Sequence, residues 1–405
     1  MDKPKLYIIN PHLDDFLSVT LSKGKNFNAK YGYLIKSENW KDYFSPKDIF
    51  FLNTKEKKTD INAWINLNKI NENIKLKELR GNIFKEKDIV IISSNMLISL
   101  WRNFNAQIKK ISQDATLIIT INHYMWKAPI LKNIFKEIST SYFICERSPL
   151  IYSRYLEKDE IDALKVHKII EIPYVPNQIF RKCRKKSKLK KCAIVGQCLP
   201  VWRNHIFYQR TGFEYFHKIR RNIKIKFLNN DINLKIFDYF GPKNKFFFNA
   251  IIHKFIYKKT IRYILKILKI YNLLERKIKF IAIKEMNNYY KESKPFKDIF
   301  KEYSIILCGE EDVLKLPCLG FFEAMMAGCV PLGSLHNYYE SLGMKRNIHY
   351  IGFDGTYEDA ESKIKLLKDN PNKISSLISK STEFIDKELS PKSLIRKILL
   401  ELESD

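Results

Sequence analysis

Short apolar, β-branched runs recur along the chain, each followed by a polar or helix-forming stretch. LYIIN (6–10), KDIVIISS (87–94), ATLIITI (115–121), TSYFIC (140–145) and HKIIEIP (167–173) make a first series. Continuous apolar strands that alternate with helices indicate a parallel sheet covered on both faces. The tract RKCRKKSKLKK (181–191) interrupts the series; it is free of acids and shows no periodicity, so it reads as a solvated linker. The pattern then restarts with KCAIVG (191–196), a helix around 205–221, LKIFDYFG (234–241), KIKFIA (277–282), EYSIILCG (302–309), CVPLGS (329–334) and HYIGF (349–353). Two such series predict an α/β chain of two Rossmann-like halves. The expected boundaries are an N-terminal domain over 1–172, a basic interdomain linker over 173–191, a C-terminal domain over 192–385 and a closing helix over 386–405. Ser390 and Pro391 suit the N-cap and first position of that last helix.

Length agrees with this division, because 405 residues exceed what one hydrophobic core usually organises. Seven cysteines form an odd set without a C-x-x-C pair, which fits reduced thiols in a cytosol better than disulfides or a zinc ribbon. No uncharged apolar segment reaches the ~18 residues of a membrane span. A cytoplasmic protein is expected.

Charge adds a partner. The formal net charge is +28, from 72 basic and 44 acidic residues. Part of the excess matches the Lys, Ile, Asn, Phe and Tyr usage of an AT-rich genome; the rest depends on where it lies. In an expected helical insert over 243–276, Lys254, Lys258, Arg262, Lys266 and Lys269 recur at helical spacing, opposite Ile256, Tyr257, Tyr263, Ile264, Ile267, Leu268 and Tyr271. Such a helix either lies in the headgroup layer of an anionic membrane, making the protein peripheral on the inner face of the cell membrane, or packs its apolar side on its own domain. Nucleic acid is not an expected partner, since the aromatic residues are dispersed rather than arranged as a platform. No feature of the sequence sets an oligomeric state.

The candidate chemistry concentrates in LKLPCLGFFEAMMAGCVPLGS (314–334). Pro317 suits the first turn of a helix, residues 321–327 are helix formers, and Gly328 suits a left-handed C-terminal cap. The amides of Cys318, Leu319 and Gly320 then face outward as an anion site, with glycine permitting close approach. Glu323, one turn in, can accept hydrogen bonds from a vicinal diol.

This segment resembles the nucleotide-sugar site of two-domain (GT-B) glycosyltransferases. KIIEIPYVPNQIF (168–180) resembles the family's interdomain crossing, AIVGQCLPVWRN (193–204) the strand and loop that open its donor domain, FKDIFKEYSIILCGEED (296–312) the elements before the donor site, and LIITINHYMW (117–126) a strand ending in a sugar-facing histidine. The resemblance implies two Rossmann-like domains about a central cleft and a glycosyltransferase moving sugar from a nucleotide sugar to a glycan or lipid-linked acceptor, in bacterial surface-polysaccharide or lipopolysaccharide assembly. It implies Glu323 on the ribose hydroxyls, the amides of Leu319 and Gly320 at the diphosphate, Gly196 in the donor-domain loop, Arg203 where the family has a phosphate-neutralising lysine, and His123 near the transferred sugar. No cofactor or metal is implied, because a helix dipole and basic side chains stabilise the leaving group.

Departures are informative. Retaining members carry a second glutamate eight positions before the ribose-binding one; Lys315 stands there, and Glu310, Glu311 and Asp312 fall earlier. Retention and inversion both stay open, and Lys315 is itself a candidate contact for a donor phosphate or carboxylate. NPHLDD (10–15) replaces the glycine-rich loop after the first strand, with Asp14 or His12 as acceptor-binding group or general base. The same PHLDDFLS resembles the first motif of zinc-dependent deacetylases. That rival reading makes His12 and Asp15 ligands and Asp14 the base, with His123 the one histidine at a plausible distance for the third ligand that zinc needs. A third reading, from a non-enzyme class, is an idle paralogue that binds a membrane or polyanion.

Overall fold

A computed structural model of the chain describes residues 3–9, 20–21, 25–26, 34, 37–53, 75–121, 123–176, 178–184, 188–196, 201, 204–229, 235–236, 296–309, 313–335 and 338–404. The chain divides into two compact units, one of Met1–Asn177 with Ile385–Asp405 and one of Gln178–Phe384.

The first unit is built on a seven-stranded sheet of order β5-β4-β1-β6-β7-β8-β9. The strands are β1 (Leu6–Ile9), β4 (Ile49–Asn53), β5 (Lys75–Glu78), β6 (Ile89–Ser93), β7 (Thr116–Ile121), β8 (Tyr142–Cys145) and β9 (Lys168–Glu171); a separate antiparallel pair joins β2 (Thr20–Leu21) to β3 (Lys25–Asn26). Every pairing in the large sheet is parallel. On one face, Ile92, Leu117, Ile119 and Phe143 pack with Leu97, Leu100, Phe104 and Ile108 of α1 (Ser94–Asp114) and Leu131 and Phe135 of α2 (Tyr124–Phe135). Those α1 positions recur every three or four residues, so one stripe of the helix meets the sheet. Each fully buried side chain of this kind contributes ~1.5–3 kcal/mol by leaving water.

The second unit carries five parallel strands in the order β11-β10-β12-β13-β14. They are β10 (Leu189–Ile194), β11 (Lys235–Ile236), β12 (Tyr303–Leu307), β13 (Val330–Ser334) and β14 (Ile351–Phe353). Ile194, Leu307, Leu332 and Phe353 pack against Ala360, Ile364 and Leu367 of the helix Tyr357–Asp369.

The helix expected around 205–221 is instead two helices, Ile206–Thr211 and α3 (Lys218–Asn229). Gly212 ends the first, at φ 73° with its N–H on Tyr208 O at 2.8 Å, a left-handed cap that a side chain would strain. The basic tract is the larger correction. Cys183 is buried, β10 starts at Leu189, and the second unit begins at Gln178, so most of the tract is structure rather than linker. Arg184 Nε donates to Met326 O at 2.9 Å, and Lys188 Nζ donates to Phe300 O at 2.7 Å and Ala327 O at 2.6 Å. Those acceptors lie 112 to 142 residues away in sequence, beyond any local pattern. The closing helix runs Pro391–Glu403, capped by Ser390, and belongs to the first unit: Lys392 pairs with Asp42 at 2.7 Å and Lys397 Nζ donates to Glu171 O at 3.1 Å. The insert over 243–276 and the run KIKFIA (277–282) lie outside the described residues.

Candidate functional site

The stretch singled out by the sequence forms α4 (Leu319–Met326), between β12 and β13. Its carboxyl end closes as a Schellman motif: Gly328 N–H reaches Met325 O at 3.0 Å and Cys329 N–H reaches Ala324 O at 2.9 Å, with Gly328 at φ 69°. At its amino end Cys318 is the N-cap and supplies no side-chain capping bond. Pro317 precedes the cap rather than occupying the first turn, a correction of one turn position. Residues Phe321 to Met326 are buried, whereas Cys318, Leu319 and Gly320 are half-buried, so the first turn, whose amides lack intrahelical partners, is the part of α4 that reaches solvent.

Glu323 sits inside this otherwise apolar helix at 8% exposure, and its carboxyl makes no hydrogen bond or ion pair with any described residue. Burial pushes its pKa from 4.5 up to about 8. Glu160, also buried, shows what a carboxylate consumed by its own fold looks like: its Oε2 accepts from Glu157 N–H at 3.0 Å in a capping box. A buried polar group without a partner destabilises the fold, and among the described residues the Glu323 carboxyl has none.

Gly320 is not demanded by packing. A Cβ built there would meet Cys318 Sγ at 3.6 Å and Val195 Cγ2 at 3.8 Å, ordinary contacts. Gly196, just after β10, is different: at φ 111° its added Cβ would stand 2.4 Å from the Arg220 guanidinium carbon. Arg220, on α3, is 2% exposed; its Nε donates to Cys308 O at 2.7 Å and its Nη2 lies 3.2 Å from Cys318 Sγ. Sequence reasoning passed over Arg220, since HKIRR matches no motif among 72 basic residues. The available signal was a pair of glycines, Gly196 and Gly309, following strands that prove to be neighbours. Lys315 is exposed and holds a left-handed backbone at φ 53° in the turn before α4.

His123 belongs to the first unit, after β7, as the N-cap of α2 with φ 54° and ψ 60°. A non-glycine residue there is strained. Its ring stacks on Trp126 at 4.1 Å, and one turn on Lys127 Nζ donates to Ser94 Oγ at 2.9 Å. Structure therefore gathers Gly196, Leu319, Gly320 and Glu323 in the second unit and leaves His123 in the first. His12, Asp14, Asp15 and Arg203 lie outside the described residues, as do Glu310, Glu311 and Asp312. Among the described residues, no three His, Cys, Asp or Glu side chains are grouped to hold a metal ion, and no helix is long and apolar enough to cross a membrane.

No protein-family model matches the chain, and no curated protein sequence does. Solved structures do. HepE of Anabaena, in complex with UDP and glucose, superposes with a TM-score of 0.50 at 10% identity, covering 99% of this chain and 100% of that one. A glycosyltransferase from Rickettsia africae gives 0.49 at 11% identity over 100% and 99% of the two chains. Sucrose-phosphate synthase from Thermosynechococcus elongatus gives 0.49 at 9% identity over 99% and 100%. At such identities the likeness is one of fold, and it rests on the first of the three: two Rossmann-like units of the GT-B type.

Proposed function

We propose that the chain is a glycosyltransferase that moves a sugar from a nucleotide-sugar donor to a glycan or lipid-linked acceptor, in the assembly of bacterial surface polysaccharide or lipopolysaccharide. The observation that carries this reading is Glu323, a buried carboxyl on the second turn of α4 that nothing described in the protein engages. Ribose hydroxyls are its proposed partners. The half-buried amides of Leu319 and Gly320 take the diphosphate, where the helix dipole favours negative charge. The fold shared with HepE, which holds UDP and glucose, supports the same assignment.

In this reading an acceptor oxygen attacks the anomeric carbon, the bond from that carbon to the β-phosphate oxygen breaks, and the nucleoside diphosphate leaves with the electron pair. Positive helix-end dipole and basic side chains, Arg203 among them, take up the leaving charge without a metal. His123 serves the sugar. Asp14 or His12 receives the acceptor proton in an inverting reaction. Lys315, at the position of the absent second glutamate, contacts donor phosphate or carboxylate. The protein works on the cytoplasmic side, with the 243–276 insert lying on anionic lipid.

Thermal shift with UDP, GDP and CMP tests the reading. The proposal expects one nucleotide to raise the melting temperature and Glu323→Ala to abolish the rise. Stabilisation by zinc that His12→Ala removes, with no response to any nucleotide, would replace it with the hydrolase.

A further inference from the structure

Arg220 carries an inference that rests on the donor reading above. In open parallel sheets, ligands bind beyond the carboxyl ends of the strands where the strand order reverses. Taken in chain order, the sheet of the second unit runs 2-1-3-4-5, and the reversal falls between β10 and β12. The Arg220 side chain leaves α3 and spans that point. It donates to Cys308 O just past β12, lies against Gly196 just past β10, and reaches the α4 N-cap at Cys318 Sγ. A Cβ on Gly309 would come 2.9 Å from the Arg220 Cα, and Gly309 has φ 52° beside the 111° of Gly196. Both strand-end glycines are thus packed against one arginine.

Cys318 Sγ, 3.2 Å from Nη2, is also the atom nearest a Cβ built on Gly320, at 3.6 Å. The guanidinium therefore stands one side chain away from the first-turn amides of α4. A cation beside a helix amino end is opposed by the dipole, whereas an anion over the same amides is favoured by dipole and cation together. Arginine keeps its charge when buried, and a buried charge is weakly screened by salt.

We propose that Arg220 is a positioning residue for the diphosphate: it fixes the α4 amino end against the two strand ends and adds a permanent positive charge behind Leu319 and Gly320. It makes the second unit discriminate nucleoside diphosphates from nucleosides. Arg203, placed by resemblance in the phosphate-neutralising role, is then one of two cations sharing it.

Calorimetry on the full chain tests this with uridine, guanosine, cytidine and adenosine and their diphosphates, on wild type, Arg220→Lys and Arg220→Met. The expected readout is the diphosphate-to-nucleoside affinity ratio. It falls about 10- to 100-fold in Arg220→Met and about fivefold in Arg220→Lys, which keeps the charge and loses the fork; nucleoside affinity holds in both. The proposal is overturned if the ratio is unchanged, or if nucleoside and diphosphate weaken by the same factor, which marks a purely structural role. Should Arg220→Met not fold, Arg220→Lys decides alone by the same criteria. Wild type that binds none of the diphosphates overturns the nucleoside-diphosphate form of the donor reading, and this inference with it.

Discussion

At the carboxyl end of α4, Arg184 and Lys188 donate to Met326 O and Ala327 O, and Gly328 and Cys329 close the last turn. At its amino end the N-cap supplies no side-chain capping bond, a guanidinium stands where the helix dipole disfavours it, and a carboxyl one turn on has no partner among the described residues. One end satisfies its backbone groups with cations placed as the dipole prefers. Among the described residues, the other leaves its first-turn amides and the Glu323 carboxyl without side-chain partners. On the proposed donor reading, stability and ligand binding divide between the two ends of an eight-residue helix, and substitutions at those ends are expected to separate accordingly.

The largest effect belongs to the closed end. Lys188→Met strips two part-buried carbonyls of a donor, at ~1–3 kcal/mol each, so urea denaturation should show a loss of about 4 kcal/mol. The fraction that remains folded should bind the donor nucleotide as wild type does. Unchanged stability would erase the contrast between the ends.

Next comes the pH dependence of the open end. Glu323 has a folded pKa of about 8 against an ordinary 4.5. Its contribution to stability is therefore present in full below about 4.5 and is lost as pH rises through about 8. At ~1.4 kcal/mol per pKa unit the ceiling is several kcal/mol, and solvent relaxation lowers it to about 3 kcal/mol. Melting temperature without ligand should fall between pH 5 and pH 9 by an amount that Glu323→Gln largely removes.

Glu323→Ala should weaken the donor nucleotide about 10- to 100-fold, the worth of hydrogen bonds to a charged acceptor, without lowering stability at pH 9. The smallest effect is that of Gly320→Ala. Its Cβ meets only ordinary contacts, so stability should hold or rise by about 0.5 kcal/mol through helix propensity, while donor affinity falls because the amides are screened by a methyl group. Equal loss of stability and affinity in this variant would show that the glycine serves the fold.

How much of this was legible follows from where each signal resides. β6, β7, β8, β12 and β13 announced themselves because strands covered on both faces must be continuously apolar. β5, KLKE, did not: it is an edge strand whose Lys77 ammonium lies 3.8 Å from the Phe50 ring centroid, so its lysines read as surface. The carboxyl cap of α4 was legible because Gly328 acts within its own turn, whereas the amino end fell later than Pro317 suggested. The tract 181–191 was misread because Arg184 and Lys188 find their carbonyls more than a hundred residues on. Glu323 stood out as the single acid in an apolar helix, yet its isolation could be seen only once its neighbours were placed. Arg220 needed the strand order itself, which brings Gly196 and Gly309 side by side.

The most direct test of the central claim is a carbon-13 NMR titration of the Glu323 carboxyl, free and with the stabilising nucleotide bound. The account predicts titration near pH 8 in the free protein and a fall of at least about one unit when ligand hydroxyls donate to the charged form. A carboxyl that titrates at the same pH with and without bound nucleotide would contradict it.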